Sequence, residues 1–295
     1  EQNFEHTFQL DYTHPINDHI LEIGGKMIIR DQEMDYETQS DSMDFVFNNE
    51  IFNYTQTVNA VYLSTNINLP NDFSLKAGTR YEHTNIEGNW KNNSDTTFSE
   101  NYDNILPNLT FSKKLSMGKS FKLSYSSRIS RPSSSYINTN TNITNNKNIT
   151  VGNPDLTPST TKQLEFGYNS FEKKYQGSYY VYYKQSDDLI ESFLRIQDDI
   201  SITTYENIGS STSIGFNYYG SIRFNKLTLR GGFNLYNYEA EDNSLASGNR
   251  TAMLYNYNFG ISLKLKNNWK AEGFGFARSP SQTLQGTSTS FSMMS

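Results

Sequence analysis

Residues 251–266 read TAMLYNYNFGISLKLK, apolar and polar in near-strict alternation. Met253, Tyr255, Tyr257, Phe259, Ile261, Leu263 and Leu265 fall on one side. Ala252, Asn256, Asn258, Gly260, Ser262 and Lys264 fill most of the other, with Leu254 the large exception. Successive side chains of a strand point to opposite faces, so this segment is a ribbon with one apolar and one wet surface. Strands of soluble proteins usually run about 5–6 residues. A strand tilted across a bilayer needs about 9–11. This run exceeds both, and aromatics sit toward the Tyr255 end of its apolar face. The expectation is a membrane-spanning strand of a β-barrel.

The same pattern recurs along the chain. Ile214, Phe216, Tyr218, Gly220, Ile222 and Phe224 alternate with polar or small neighbours, as do Leu227, Leu229, Gly231, Phe233 and Leu235. Phe73, Leu75, Ala77, Thr79 and Tyr81 form another series, and Val61, Leu63, Thr65, Ile67 and Leu69 another. Shorter ones run through Phe121, Leu123 and Tyr125, and through Leu164, Phe166 and Tyr168. Leu21, Ile23, Gly25, Met27 and Ile29 alternate less cleanly, because Ile28 sits on the polar side. Near the C-terminus Phe274 and Phe276 take one phase and Trp269, Ala271 and Ala277 the other.

The connections sort into two kinds. Short ones are expected at 14–19, 70–72, 116–120, 172–176, 224–226 and 266–268. Longer ones are expected at 34–50, 89–101, 131–160, 186–202 and 239–248. Short and long in alternation is the mark of an up-and-down barrel with tight turns at one end and large external loops at the other. The predicted fold class is all-β, a transmembrane antiparallel up-and-down barrel segment over residues 1–295 with about 12–13 strands. Its long external loop is 131–160, and no stretch shows helical periodicity of useful length.

Composition narrows the class further. The chain has 295 residues and no cysteine, which removes disulfide frameworks and thiolate metal sites. The net charge of −6 gives no cationic field for nucleic acid. There is no run of about 20 apolar residues, so helical membrane spans are excluded. Twenty-one Tyr and 19 Phe set the chain apart from disordered polar sequences. Interfacial belts account for them: the ring lies in hydrocarbon and the tyrosine hydroxyl reaches the head groups. The sequence carries no signal peptide and stops within a strand-like segment, and it is expected to be a piece of a longer chain.

Residues 122–168 carry the family-specific signals. Tyr125 precedes Ser127-Arg128-Ile129-Ser130-Arg131-Pro132. After a long loop come Gly152-Asn153-Pro154-Asp155-Leu156-Thr157-Pro158 and the strand Leu164-Glu165-Phe166-Gly167-Tyr168. With Asp103-Asn104-Ile105-Leu106-Pro107-Asn108-Leu109, these segments resemble the outer-membrane barrel of TonB-dependent receptor-like proteins from Bacteroidetes. That resemblance implies outer-membrane localisation and energy-coupled uptake of a nutrient, such as a metal chelate or glycan fragment. It also implies a plug, lying outside this sequence, operated by a TonB-type energy-transducing protein, and a parent barrel of about 22 strands. The Gly152–Pro158 segment has its own physics: glycine accepts unusual backbone angles and the prolines hold their neighbours extended. A rigid loop return is the leading expectation for it, ahead of ligand contact.

No catalytic set emerges. His6, His14, His19 and His83 form neither H-x-x-x-H nor H-E-x-x-H, and neither G-x-S-x-G nor a P-loop lysine is present. The chain is therefore expected not to be an enzyme, and no cofactor is expected. Asp187, Asp188, Glu191, Asp198 and Asp199 are close in sequence, but lack EF-hand spacing, so a solvated loop face outweighs a Ca²⁺ site. Lys26, Arg30, Lys76, Arg80, Glu82, Lys122, Arg128, Glu165, Arg223 and Arg230 fall on or near the wet phase. Facing lipid, Arg or Lys would cost about 2–4 kcal/mol at the midplane. An internal network of ion pairs and water is expected there.

Ligand contacts are expected in external loops, at Trp90, Tyr102, Tyr136 and Asp187. The expected surroundings are outer-membrane lipid and, on the outside, a surface lipoprotein or another outer-membrane protein. The rival reading is a structural or assembly subunit of an outer-membrane complex for secretion, insertion or surface lipoproteins.

Overall fold

The computed structural model describes residues 1–38, 48–91, 97–139, 142–145, 147–241, 250–267, 269–282 and 287–295. The first six strands are β1 (Gln2–Ile16), β2 (His19–Thr38), β3 (Asn48–Leu69), β4 (Phe73–Lys91), β5 (Thr97–Ser116) and β6 (Lys119–Ser130). A single helical turn, α1 (Ser134–Ile137), and the short β7 (Asn142–Asn145) and β8 (Asn148–Thr150) follow. Then come β9 (Ser159–Phe171), β10 (Tyr175–Asp187), the hairpin β11 (Ile190–Gln197) and β12 (Ile200–Asn207), and β13 (Ser210–Phe224). The chain continues through β14 (Leu227–Glu241), β15 (Arg250–Lys264), β16 (Lys270–Arg278) and β17 (Phe291–Met294).

Thirteen strands form one antiparallel up-and-down sheet, in which β6 pairs with β9 and β10 with β13. The strands skipped in that order make a second sheet of four, β11-β12-β8-β7, at the long-loop end. Within it β12 and β8 run parallel, which joins two connections far apart in sequence. The expected loop over 186–202 is thus largely a hairpin. The expected loop over 131–160 holds α1, β7 and β8. Of the other long connections, residues 39–47, 92–96 and 242–249 lie outside the described residues.

Turn chemistry explains several acidic residues. Asp198 and Asp199 take φ of 50° and 62° between β11 and β12. Positive φ at both centres of a two-residue hairpin is the type I′ turn, which Asp and Asn tolerate. Asp188, with φ of 56°, is another such residue. Among the described residues no group of three or more His, Asp or Glu could hold a metal ion.

Pairing register puts the alternating residues in continuous rows. One row on the outer face runs Leu75, Phe111, Leu123, Phe166, Val181, Phe216, Leu235 and Tyr255 from β4 to β15. Nearer the short turns, Phe121, Tyr168, Tyr179, Tyr218, Phe233 and Tyr257 make an aromatic row. The Phe121 and Tyr168 rings lie 5.1 Å apart, and Tyr179 and Tyr218 lie 5.0 Å apart. An outward apolar band edged by aromatics is the lipid-facing surface of a membrane barrel. The ten charges expected on the wet phase all fall on the opposite, inner face by this register. Phe274 and Phe276 also face inward, opposite Gly260 and Asn258.

The alternation keeps its period toward the long-loop end but reverses its chemistry. In β3 the inner residues become Phe52, Tyr54, Gln56, Val58 and Ala60, all buried. Their outward neighbours are Asn53, Thr55, Thr57 and Asn59. In β4 the inner Glu82, Thr84, Ile86 and Trp90 are buried, whereas His83, Asn85, Glu87 and Asn89 point out. Ile28 pairs with Val58, which pairs with Thr84. The residue that broke the pattern of β2 in the sequence is therefore where the inner apolar layer begins.

Candidate solute-facing site

The inner face is built first from ion pairs. Arg80 and Arg131 each bond one carboxylate oxygen of Glu82, and Arg131 Nε donates to Thr84 Oγ1 at 3.1 Å. Arg131 belongs to the segment before Pro132, so this contact ties the start of the 131–158 connection to the middle of β4. Nearby, Arg30 pairs with Glu5 at 2.6 Å and donates to Gln56 Oε1 at 2.9 Å. Ser64 donates to Glu22 at 2.7 Å, and the Tyr62 hydroxyl donates to Asp11. Charge on a barrel's inner wall is retained because it is paired and hydrated there.

Above this network the chain folds back onto the inner wall. Ile137 of α1 is 1% exposed and packs with Phe52, Tyr54, Ile86 and Trp90. Phe52 and Trp90 stack at 4.3 Å, and Met34, Tyr36, Phe98 and Tyr102 surround them. The Asn138 side-chain amide donates to the Tyr36 hydroxyl on β2, so the connection reaches across three strands. Burying an isoleucine or phenylalanine side chain contributes about 1.5–3 kcal/mol, which is why a one-turn helix can be held here without a side-chain cap at Ser133.

The Gly152–Pro158 segment fastens α1 to the second sheet. Gly152 N–H donates to the Asn138 carbonyl at 2.9 Å, and a side chain at Gly152 would strike that same carbonyl. Asn153 N–H donates to the Tyr136 carbonyl at 2.7 Å, while its side-chain amide donates to the Tyr205 carbonyl at 2.9 Å. Asn153 Oδ1 accepts from Asp155 N–H at 3.0 Å, closing a local turn. Asn207 accepts from Thr157 N–H at 2.8 Å and donates to the Thr157 carbonyl at 2.9 Å. Tyr136 and Tyr205 stack at 4.1 Å across the same junction. The segment is a clamp, and the rigid loop return expected from its glycine and prolines has a hydrogen-bonded basis.

The hairpin contributes one unusual carboxyl. Glu191 on β11 is half-buried, and burial holds its pKa above the ordinary carboxylate range. Its strand neighbour Phe193 packs against Ile208 and Ala240.

The expected ligand residues separate in space. Trp90 lies within β4, 4% exposed, and Tyr102 lies in β5 at the edge of the same cluster. Neither is in a loop, because β4 and β5 continue through most of the connection expected at 89–101. Tyr136 stands on α1, half-exposed, above Ile137. Asp187 ends β10 on the outward phase, 3.5 Å from Lys162, and accepts from Gln185 at 2.9 Å. The structure brings Trp90, Tyr102 and α1 together and leaves Asp187 apart. Phe52, Ile86, Ile137 and the Glu82–Arg131 pair were not singled out from sequence as a unit. The available signal was the apolar phase of Phe52 and Tyr54, opposite to that of Val61 and Leu63.

Comparison with known proteins agrees with this architecture. A family model described as "Outer membrane protein beta-barrel family" matches residues 1–295. No curated protein sequence matches the chain. Among solved structures, the ferric-catecholate import receptor Fiu from Escherichia coli K12 superimposes with a TM-score of 0.72 at 12% identity, over 99% of this chain and 47% of that one. The siderophore receptor PiuA from Acinetobacter baumannii gives 0.68 at 14%, over 99% and 49%. The copper transporter OprC gives 0.68 at 13%, over 99% and 47%. At these identities the likeness is one of fold, and the chain spans about half the length of each.

Proposed function

The chain belongs to the outer membrane protein beta-barrel family, and on that premise we propose that it forms part of the wall of a receptor-like outer-membrane transporter. The transporter takes up a nutrient, a metal chelate or a glycan fragment, by ligand-gated movement of a plug supplied outside this sequence. A TonB-type protein supplies the energy. The chemistry is binding and gating, with no bond made or broken. One observation carries the reading: a polar, charged inner wall is covered at its long-loop end by α1, which Asn153 ties by hydrogen bonds to the second sheet. Contact with a solute at that sheet would reach the inner wall through Asn153 and Ile137. The names of Fiu, PiuA and OprC, an import receptor, a siderophore receptor and a copper transporter, support the class.

In this reading Tyr136, with Tyr205, offers a ligand an exposed aromatic surface, and Asp187 a carboxylate at the rim. Trp90 and Tyr102 reach a ligand only after α1 moves. The test is uptake by cells carrying the full-length parent, using ferric chelates and oligosaccharides as probes, with and without the energy-coupling system. Energy-dependent uptake that falls on Tyr136→Ala supports the proposal.

A structural or assembly subunit is the second reading. Ile196, 75% exposed on edge strand β11, favours it, because an apolar strand edge in water invites another chain. Absence of uptake, with a stoichiometric protein partner lost on Ile196→Lys, would select it.

A further inference from the structure

Adjacent glycines on β2 face opposite ways and differ in cover. Gly24 faces inward beneath the Tyr62 ring, which a side chain there would strike at 2.5 Å. Gly25 faces outward between Leu10 of β1 and Val61 of β3. A side chain there would meet only the Ala60 carbonyl, at 3.8 Å. Three other outward glycines are roofed by a neighbouring ring, Gly177 by Tyr175, Gly220 by Tyr218 and Gly275 by Phe259, while Gly231 abuts the Asn258 carbonyl and Gly273 the Ile261 side chain. Gly25 has no such roof. The result is a groove of about 490 Å³ in the lipid-facing surface, walled by Phe8, Leu10, Met27 and Val61.

The groove lies where the outer face changes from apolar to polar. The row through Gly25 is Leu10, Val61, Tyr81 and Ile105. The next row toward the long loops is Phe8, Met27, Asn59, His83 and Asp103. There the Tyr81 hydroxyl donates to Asp103 at 2.6 Å, and His83 Nδ1 lies 2.8 Å from the same oxygen. Phe8, Leu10 and Val61 are each more than half exposed, so nothing among the described residues covers the walls. The surface is continuous with the band that contacts lipid, and hydrocarbon fills an apolar groove there by the same transfer that buries any methylene. Its polar rim lies on the external side. No Lys or Arg faces outward in that rim row. Amide, imidazole and carboxylate groups match hydroxyls and leave a phosphate without a cation.

We propose that the Gly25 groove is an ordered lipid site, seating one acyl chain of an external-leaflet glycolipid whose sugar hydroxyls meet Asn59 and the His83–Asp103 pair. The site is independent of what the barrel transports.

The test is native mass spectrometry of the full-length parent, delipidated in detergent and titrated with dephosphorylated lipid A or with phosphatidylethanolamine. The wild type is expected to retain one dephosphorylated lipid A in preference to phosphatidylethanolamine. Gly25→Leu fills the groove with a lipid-facing side chain and is expected to weaken retention about tenfold, the equivalent of about two buried methylenes. Asn59→Leu leaves the groove floor intact and is expected to weaken it about fivefold, the loss of about one hydrogen bond. Heat-modifiability confirms that each variant is folded. Equal retention by wild type and both variants, equal or stronger retention of phosphatidylethanolamine, or a co-purifying protein in place of lipid would each overturn the proposal.

Discussion

The membrane band and the strand extensions above it share strands and a two-residue period, yet bury opposite faces. In β3, Leu63 and Val61 turn outward to hydrocarbon, while Phe52 and Tyr54, a few residues earlier, turn inward. The solvent on each side decides which is stable. Lipid outside and water inside favour apolar-out and polar-in. Above the bilayer water lies outside, and the inner face becomes the only place to bury an aromatic side chain. The change happens without a shift of register, since β2, β3 and β4 pair continuously through it. A barrel strand can thus be a membrane strand at one end and an ordinary core strand at the other.

The largest effect should come from emptying the upper core. Phe52→Ala is expected to cost about 3–5 kcal/mol, as for other buried aromatic truncations. Phe111→Ala, in the band and 39% exposed toward lipid, is expected to cost less than half as much. Unfolding of the full-length parent in detergent measures both, and equal costs would break the contrast between the two regions. Leu63→Arg comes next, at about 2–4 kcal/mol if the residue lies near the midplane. Ser64→Arg, on the inner face, is expected to be milder. Folded yield and heat-modifiability read that pair, and the reverse order would show that the faces are exchanged.

Arg131→Ala tests the join between the regions. It leaves Glu82 with Arg80 alone and frees the start of the 131–158 connection, at about 1.5–3 kcal/mol for the lost charged hydrogen bonds. Hydrogen exchange is expected to quicken through 131–158 while β13–β15 stay protected. Asn153→Ala is expected to cost about 1 kcal/mol and to raise exchange at 200–207 together with 134–138. If only one of those segments responds, the clamp does not couple them.

The smallest effect is a pH dependence. Burial raises the Glu191 pKa in the folded state. Its contribution to the hairpin is therefore complete below the ordinary carboxylate pKa and is lost as pH rises through the raised value. Protection factors over 190–207, which remove the intrinsic pH dependence of amide exchange, should rise as the medium is acidified through that window. Glu191→Gln should abolish the dependence and modestly stabilise the hairpin at neutral pH.

Some of this was legible from residue order alone. A two-residue period sustained over lengths that cross a bilayer states both the strand and its lipid face, because side chains alternate whatever the strand pairs with. Alternating short and long connections state the up-and-down order. Positions such as Leu75, Phe166 and Tyr255 needed no neighbour to be placed. The external loops were overextended, since Asp35, Asn89 and Asn101 look like loop composition until β2, β4 and β5 are seen to pair through them. The clamp and the parallel pairing of β8 with β12 join residues about 50 positions apart, which no local period encodes. Residue order settles the barrel wall and its faces, as these follow from alternation and the solvent on either side. Where that alternation inverts, what Ile137 fills, and that Gly25 lies open emerge only from the folded chain, because each depends on which side chain the fold brings opposite.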